Sequence, residues 1–292
     1  LNYYLSLSKF LNIGQKFSCS KINKFYFNKS SASISLKYPL IISKELIAIS
    51  ELIRVEGYMD KKNNRIILEN TNMDLIQKFK KYIKTIGVNM PIQDLRIKVM
   101  VPENINLNDI IIKNLGSKKL KPFYSRILKL KRGIKKEIIF IEQNVRANTL
   151  LNYLIKLKGK RFNLKISIPK KGKITSITNL KYKLPYQIVT PSLILVMWNG
   201  SLFYILNEIL KIQRGKKSGI IFIPPFVKNL PKDLIKEAIS LVLAAESTVT
   251  SSSVKITSLS KKYIQDFLEL LKKFNITSRI DKKGTTISIY GN

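Results

Sequence analysis

One pattern occurs twice in this chain. An apolar helix ends in an acid, a hairpin follows, a polar residue caps, and an amphipathic helix closes the unit. In the first copy the helix runs from Ser43 through Leu46, Ile49, Leu52 and Ile53 to Glu56-Gly57, with apolar residues at helical spacing. Residues 60–64 (DKKNN) read as a turn and 65–69 (RIILE) as a strand. Asn72 or Asp74 then caps a helix with Leu75, Ile76, Phe79, Ile83 and Ile86 on one face, stopped by Gly87. The second copy begins at Pro231, and Leu234, Ile235, Ala238, Leu241 and Val242 carry its helix to Glu246. A strand over 254–258 and a helix from Ser260 follow, ending near Asn275. Aligning Glu56 with Glu246 sets Ile76-Gln77-Lys78-Phe79 on Ile264-Gln265-Asp266-Phe267, and Asn72 on Ser260, after a hairpin two residues shorter. Such a repeat in register implies internal pseudo-twofold symmetry.

Charge limits the partner. Fifty-three Lys and Arg against 18 Asp and Glu give a formal +35 over 292 residues. With 45% hydrophobic residues the chain has enough apolar material for real cores. A polyanion is the expected partner, because neutralised phosphates release condensed counterions. Lys, Ile and Asn usage also matches an AT-rich genome, although codon bias does not explain why acids are so few. Cys19 is the one cysteine and histidine is absent, which excludes Cys/His zinc sites and His-based triads. Catalysis, where present, falls to carboxylates, lysines, hydroxyls or an oxygen-held metal. The chain starts at Leu1, which reads as truncation or an unusual start codon, and Lys9 and Lys16 break any signal peptide. The uncharged stretch 184–207 holds Pro185, Pro191, Asn199 and Gly200. It is expected to be a buried segment, extended at 188–190 and helical from about Pro191, rather than a membrane span.

Residues 49–57 (ISELIRVEG) and 239–247 (ISLVLAAES) resemble the two signature motifs of LAGLIDADG proteins, the homing endonucleases and intron maturases. The resemblance covers about residues 40–102 and 231–292. It implies an α+β fold of two pseudo-symmetric αββαββα repeats, with motif helices side by side and saddle-shaped antiparallel sheets straddling the DNA major groove. It also implies that Glu56 and Glu246 stand where the metal-binding acids stand, holding Mg²⁺ for metal-dependent double-strand cleavage. Lys98, and Lys282 or Lys283 (Lys283 preferred), are the basic side chains expected to assist. Close approach of the motif helices needs small residues, which Ala48, Ser50, Val55, Ala238, Ser240, Ala244 and Ala245 partly supply. Both acids are Glu where the family most often has Asp. Ser247 stands in place of glycine, which is expected to weaken a left-handed turn after the acid. Glu51 and Leu241 occupy a normally small position, which predicts a wider helix seam.

The hairpins offer nucleic-acid contacts in Lys61, Lys62 and Arg65 of the first copy and Ser251, Ser253 and Lys255 of the second. Arg132, Lys160, Arg161 and Lys216 lie in basic runs at turns, suited to gripping phosphates. An amphipathic helix is expected over 145–158, and the PKKGK run at 169–173 reads as a turn between strands. The expected organisation is a basic arm at 1–38, a first repeat with extension at 39–160, a basic insertion at 161–230 and a second repeat at 231–292. The segment 103–230 exceeds what compact repeats need, and its basic runs favour RNA over a short DNA site. The expected partner is thus duplex DNA or structured RNA, including ribosomal RNA, bound by a monomer in an archaeal cytoplasm or organellar matrix. A catalytically silent RNA-binding protein, maturase-like or ribosome-associated, is the alternative to cleavage.

Overall fold

The computed structural model describes residues 42–60, 62–104, 122–130, 133–142, 152–155, 162–180 and 188–290. Its elements are mixed α and β, with antiparallel sheets. The chain divides into two compact units. Among the described residues, one holds those up to Leu68, those at 78–91 and those from 196 on; the other holds those at 69–77 and 92–195.

In the first unit, helix α1 (Lys44–Val55) starts at Ser43, whose hydroxyl accepts from the Leu46 N–H at 3.2 Å. It leads into strand β1 (Gly57–Met59), antiparallel to β2 (Arg65–Asn70). Every residue of α1 from Leu46 to Arg54 is buried, so this helix is enclosed on all sides and tolerates no solvent stripe. Helix α2 (Met73–Thr85) has Asn72 before its first turn, accepting from the Asp74 N–H at 3.0 Å. It stops at Gly87, with φ of 76°; the Val88 N–H returns to the Ile83 carbonyl at 3.1 Å, a left-handed helix stop.

Later in the unit, helix α3 (Gly200–Tyr204) runs into a π-helical turn (Ile205–Ile209). A short helix α4 (Pro225–Lys228) precedes α5 (Lys232–Glu246), which has Pro231 at its start. Strands β10 (Ser247–Val249) and β11 (Val254–Thr257) follow. Helix α6 (Lys261–Lys273) is capped by Ser260, which accepts from the Tyr263 N–H at 3.2 Å. The helix stops at Asn275, with φ of 56°, and the Ile276 N–H returns to the Leu271 carbonyl at 3.1 Å. Gly87 and Asn275 thus end their helices by the same device. Strands β12 (Ser278–Ile280) and β13 (Thr286–Ile289) complete a sheet of order β10-β11-β13-β12. Its buried face carries Ile256 and Ile287, directly paired across the strands.

The second unit holds β3 (Ile92–Pro102), which alternates strictly between buried odd and more exposed even positions, as a half-buried strand should. It pairs antiparallel with β5 (Gly133–Glu142), and β5 with β4 (Pro122–Leu130). Strand β9 (Ile188–Trp198) lies beside β3. The strand order of this sheet is β1-β2-β9-β3-β5-β4. A separate sheet has the order β6-β7-β8, from β6 (Asn152–Ile155), β7 (Phe162–Ser167) and β8 (Thr175–Leu180). The PKKGK run is indeed the turn between β7 and β8.

Two sequence expectations fail here. Residues 191–198 are strand rather than helix, and the helix begins only at Gly200. A short apolar run such as Leu193–Met197 suits a buried strand as well as a helix. The deciding signal is Asn199, which caps α3 by accepting from the Leu202 N–H at 2.8 Å. Within 145–158 the described residues 152–155 are strand β6, with Tyr153 opposite Ile166; strand pairing overrides the helical spacing there. Among the described residues no helix is long and apolar enough to cross a membrane. The expected arm at 1–38 lies outside the described residues.

Gly57 is needed for close approach. A Cβ there would lie 2.7 Å from Ile53 Cδ1 and 2.8 Å from Ile53 Cα. Gly57→Ala should cost about 1–3 kcal/mol, the range for forcing atoms into a packed core, whereas Ser247→Ala should cost under about 0.5 kcal/mol. Urea unfolding of both variants checks this, and equal effects would contradict it.

Candidate nucleic-acid interface

The two acid-tipped helices, α1 and α5, pack directly against each other. From α5 the buried side chains are Ile235, Ala238, Ile239, Leu241 and Val242. Ser240 and Ala244, expected at the helix contact, are exposed instead. They share one stripe with Lys236, four residues apart, on the solvent side. Neither Gly57 nor Ser247 takes a left-handed conformation, and Ser247 is extended with φ of −84°. The serine therefore carries no backbone penalty, contrary to expectation.

Glu51 is buried and does not face solvent. Its carboxylate accepts from Arg54 Nε at 3.0 Å, and both side chains are almost fully enclosed. Arg54 goes on to donate to the Leu210 carbonyl at 2.6 Å and the Lys211 carbonyl at 3.3 Å. These carbonyls lie just past the π-helical turn, where a helix leaves acceptors without internal donors. The buried pair thus ties α1 to the segment after α3.

That segment continues over the end of α1. The Gly215 N–H donates to the Met59 carbonyl at 2.7 Å. Lys217 then donates its ammonium to the Ile53 carbonyl. Both Glu56 and Glu246 act on this ammonium, as does Glu51. Burial nevertheless wins: together with repulsion from Arg54 it drags the Lys217 pKa down to about 7. Glu246 is half-buried, and desolvation raises its pKa while Lys217 opposes the rise. Glu56, Glu246 and Lys217 therefore form one electrostatic cluster at the end of the helix pair.

Downstream, the segment is fastened to α6. Ser260 Oγ donates to the Ile221 carbonyl at 2.5 Å. The fully buried Asp266 accepts from the Ile223 N–H at 3.0 Å and pairs with Lys228 at 3.0 Å. Fixed at both ends, the segment holds Lys217 in place.

Sequence reasoning missed Lys217 while naming its neighbour Lys216, which is exposed. The RGKK run marked the region, but selecting Lys217 needs a contact 164 residues away in sequence. Lys98 lies in the second unit, where its ammonium pairs with Glu137 at 2.9 Å. Arg126 binds the same carboxylate. Burial alone would raise the Glu137 pKa, but the hydrogen bonds from Lys98 and Arg126 bring it below the usual value. Lys283 is exposed in the turn between β12 and β13.

One face of the C-terminal sheet carries a row running straight across the strands. Thr248 lies opposite Lys255, Lys255 opposite Ser288, and Ser288 opposite Arg279. Thr248, Lys255 and Arg279 are exposed. Ser251 is exposed at the hairpin tip, but Ser253 is buried and bonded to Thr250, so it stiffens the turn. In the other hairpin Lys62 is exposed, while Arg65 pairs with Asp60 at 3.0 Å. Lys61, Arg132, Lys160 and Arg161 lie outside the described residues.

Residues 234–290 match the family model for a LAGLIDADG-like domain. Over these residues the chain is similar to LAGLIDADG proteins. The match spans α5 to β13, including Glu246 and the Thr248–Arg279 row. No curated protein matches the chain. The LAGLIDADG-like domain contains one acid of the pair, while Glu56 and Lys217 come from outside the matched residues.

Mg²⁺ asks for octahedral oxygen ligands. The site offers Glu56 and Glu246 with an ammonium acting on both, and burial favours protonation of Glu246. Among the described residues no group of three carboxylate, thiol or imidazole side chains is placed to hold a metal. This donor set does not fit a divalent ion while Lys217 is charged, and no metal-dependent step is derived from it.

Two outcomes follow. Arg54→Leu leaves Glu51 buried without its partner and should cost about 3–5 kcal/mol, read as a lower urea midpoint. The folded Lys217 releases its proton near pH 7, whereas the unfolded chain keeps it to about 10.5. Between those values the unfolded state binds more protons, so stability rises with pH. Relative to Lys217→Met, the parent protein should gain stability from about pH 7 towards pH 10; a pH-independent difference would contradict the assignment.

Proposed function

We propose that this protein is a nucleic-acid-binding LAGLIDADG protein that binds structured RNA without cutting it, in the manner of a maturase or ribosome-associated factor. The observation that carries this reading is Lys217. Its ammonium supplies to Glu56 and Glu246 the positive charge that a catalytic metal would otherwise bring. The helix pair then serves as a rigid spine for the sheets.

In this reading the chain holds two αββαββα repeats. The first comprises α1, β1, β2, α2, β3 and β9, with α3 closing it; the second comprises α5, β10, β11, α6, β12 and β13. Support comes from the equivalent strand orders, β1-β2-β9-β3 and β10-β11-β13-β12, and from the matched stops at Gly87 and Asn275. Residues 103–187 are then the insertion, in place of the 161–230 expected from sequence, because β9 belongs to the first sheet. The formal charge of +35 and the basic runs extend the phosphate-binding surface beyond one short DNA site. Lys255 and Arg279 contribute from the sheet row, with Thr248 and Ser288 as neutral hydrogen-bonding groups.

Metal-dependent double-strand DNA cleavage is the second reading, favoured by the two acids at the ends of packed helices and by the low proton affinity of Lys217 near neutral pH. It requires Mg²⁺ to take over from the ammonium.

Affinity for structured RNA should fall steeply with salt, and Lys255→Ala and Arg279→Ala should each lower the salt slope by about one. In the same buffers with Mg²⁺, a plasmid library should remain uncut. The paired Glu56→Gln and Glu246→Gln variant should still bind RNA. Linearised plasmid with the parent protein, lost in the Gln variant, would establish cleavage instead.

A further inference from the structure

A cavity of about 170 Å³ opens beside the acid cluster, between the end of α5, strand β11, the start of α6 and the segment carrying Lys217. Its walls include Ile221, Ile256 and Leu259. Ile256 is buried, whereas Leu259 is 74% exposed at the rim. Its lining also includes the polar side chains of Glu246, Lys217 and Tyr263.

Tyr263 is the unusual member. Its ring is 1% exposed and stacks on Phe267 with centroids 6.0 Å apart. Its hydroxyl is buried and has no hydrogen-bond partner. A buried hydroxyl without a partner is destabilising, and the same shape with Phe would avoid that cost. Tyr263 is one of the residues lining the recess, so a group entering it comes within reach of this side chain. Burial also lifts the Tyr263 pKa well above 10, which keeps the hydroxyl a donor at all ordinary pH. Arg54, by contrast, already donates to Glu51 and to the Leu210 and Lys211 carbonyls.

The required occupant is flat enough to lie between aliphatic side chains, apolar on its faces and polar at its edge. It must accept from Tyr263 and can donate to Glu246. A cavity of about 150 Å³ is known to hold a six-membered aromatic ring, so the size is right for one heterocycle. We propose that this recess receives one unstacked nucleobase of a bound nucleic acid, its edge against Tyr263 and Glu246 and its faces against Ile221, Ile256 and Leu259. The assignment rests on the nucleic-acid binding proposed above. It makes the protein prefer a bulged or unpaired nucleotide, where the cost of extruding a base is smallest.

The test uses a fully paired RNA duplex and the same duplex with a single bulged 2-aminopurine, whose fluorescence reports stacking. The bulged duplex should bind about tenfold more tightly, the unpairing cost having been removed, and its fluorescence should change on binding. Tyr263→Phe should reduce the preference without loss of thermal stability. Leu259→Asp, at an exposed rim position, should abolish the preference, read as the ratio of bulged to paired affinity in the same variant. Equal affinity of the parent protein for both duplexes, or an undiminished preference in Leu259→Asp, overturns the pocket assignment alone. Failure of both duplexes to bind at low salt overturns it together with the reading on which it rests.

Discussion

The contact between α1 and α5 organises everything around it. Its apolar part is ordinary helix packing, and charged groups gather where the two helices end. Burying Glu51 is tolerable because Arg54 accompanies it, and Arg54 in turn satisfies carbonyls past the π-helical turn. The chain leaving that turn then delivers Lys217 to the ends of both helices. An unpaired buried charge costs several kcal/mol, so each member of this cluster constrains the next.

This arrangement changes the meaning of the acid pair. Two carboxylates brought together at helix ends call for a cation between them. In a metal-dependent nuclease that cation is external and exchangeable. Here the chain supplies one itself, and holds it with contacts from Gly215 to Met59 on one side and from Ile223 to Asp266 on the other. The cost of desolvating the ammonium appears in its lowered pKa. While Lys217 is protonated, its ammonium balances the acids without Lewis acidity, which is the basis of the proposed binding role.

Much of the fold was legible because its signals are local. Ser43 and Ser260 announce helix starts through hydroxyls within reach of the next turn. Gly87 and Asn275 announce helix stops because they tolerate positive φ. The alternation of β3 follows from a sheet with one buried face. Strand β9 was misread since an apolar run has no single period, and only its place beside β3 settles the matter. Lys217 was missed for a different reason: nothing in RGKK separates a lysine that faces phosphate from one that reaches the Ile53 carbonyl. The seam residues show the same limit, because Ser240 and Ala244 are small yet lie on the wrong stripe of α5.

The most direct test is the titration of Lys217 itself, followed by NMR on protein labelled at the lysine side chain. The account predicts a midpoint near pH 7, falling further in Glu56→Gln and again in Glu246→Gln as each stabilising carboxylate loses its charge. A midpoint at the ordinary lysine value near 10.5, unmoved by either substitution, would show that the ammonium does not serve the acid pair.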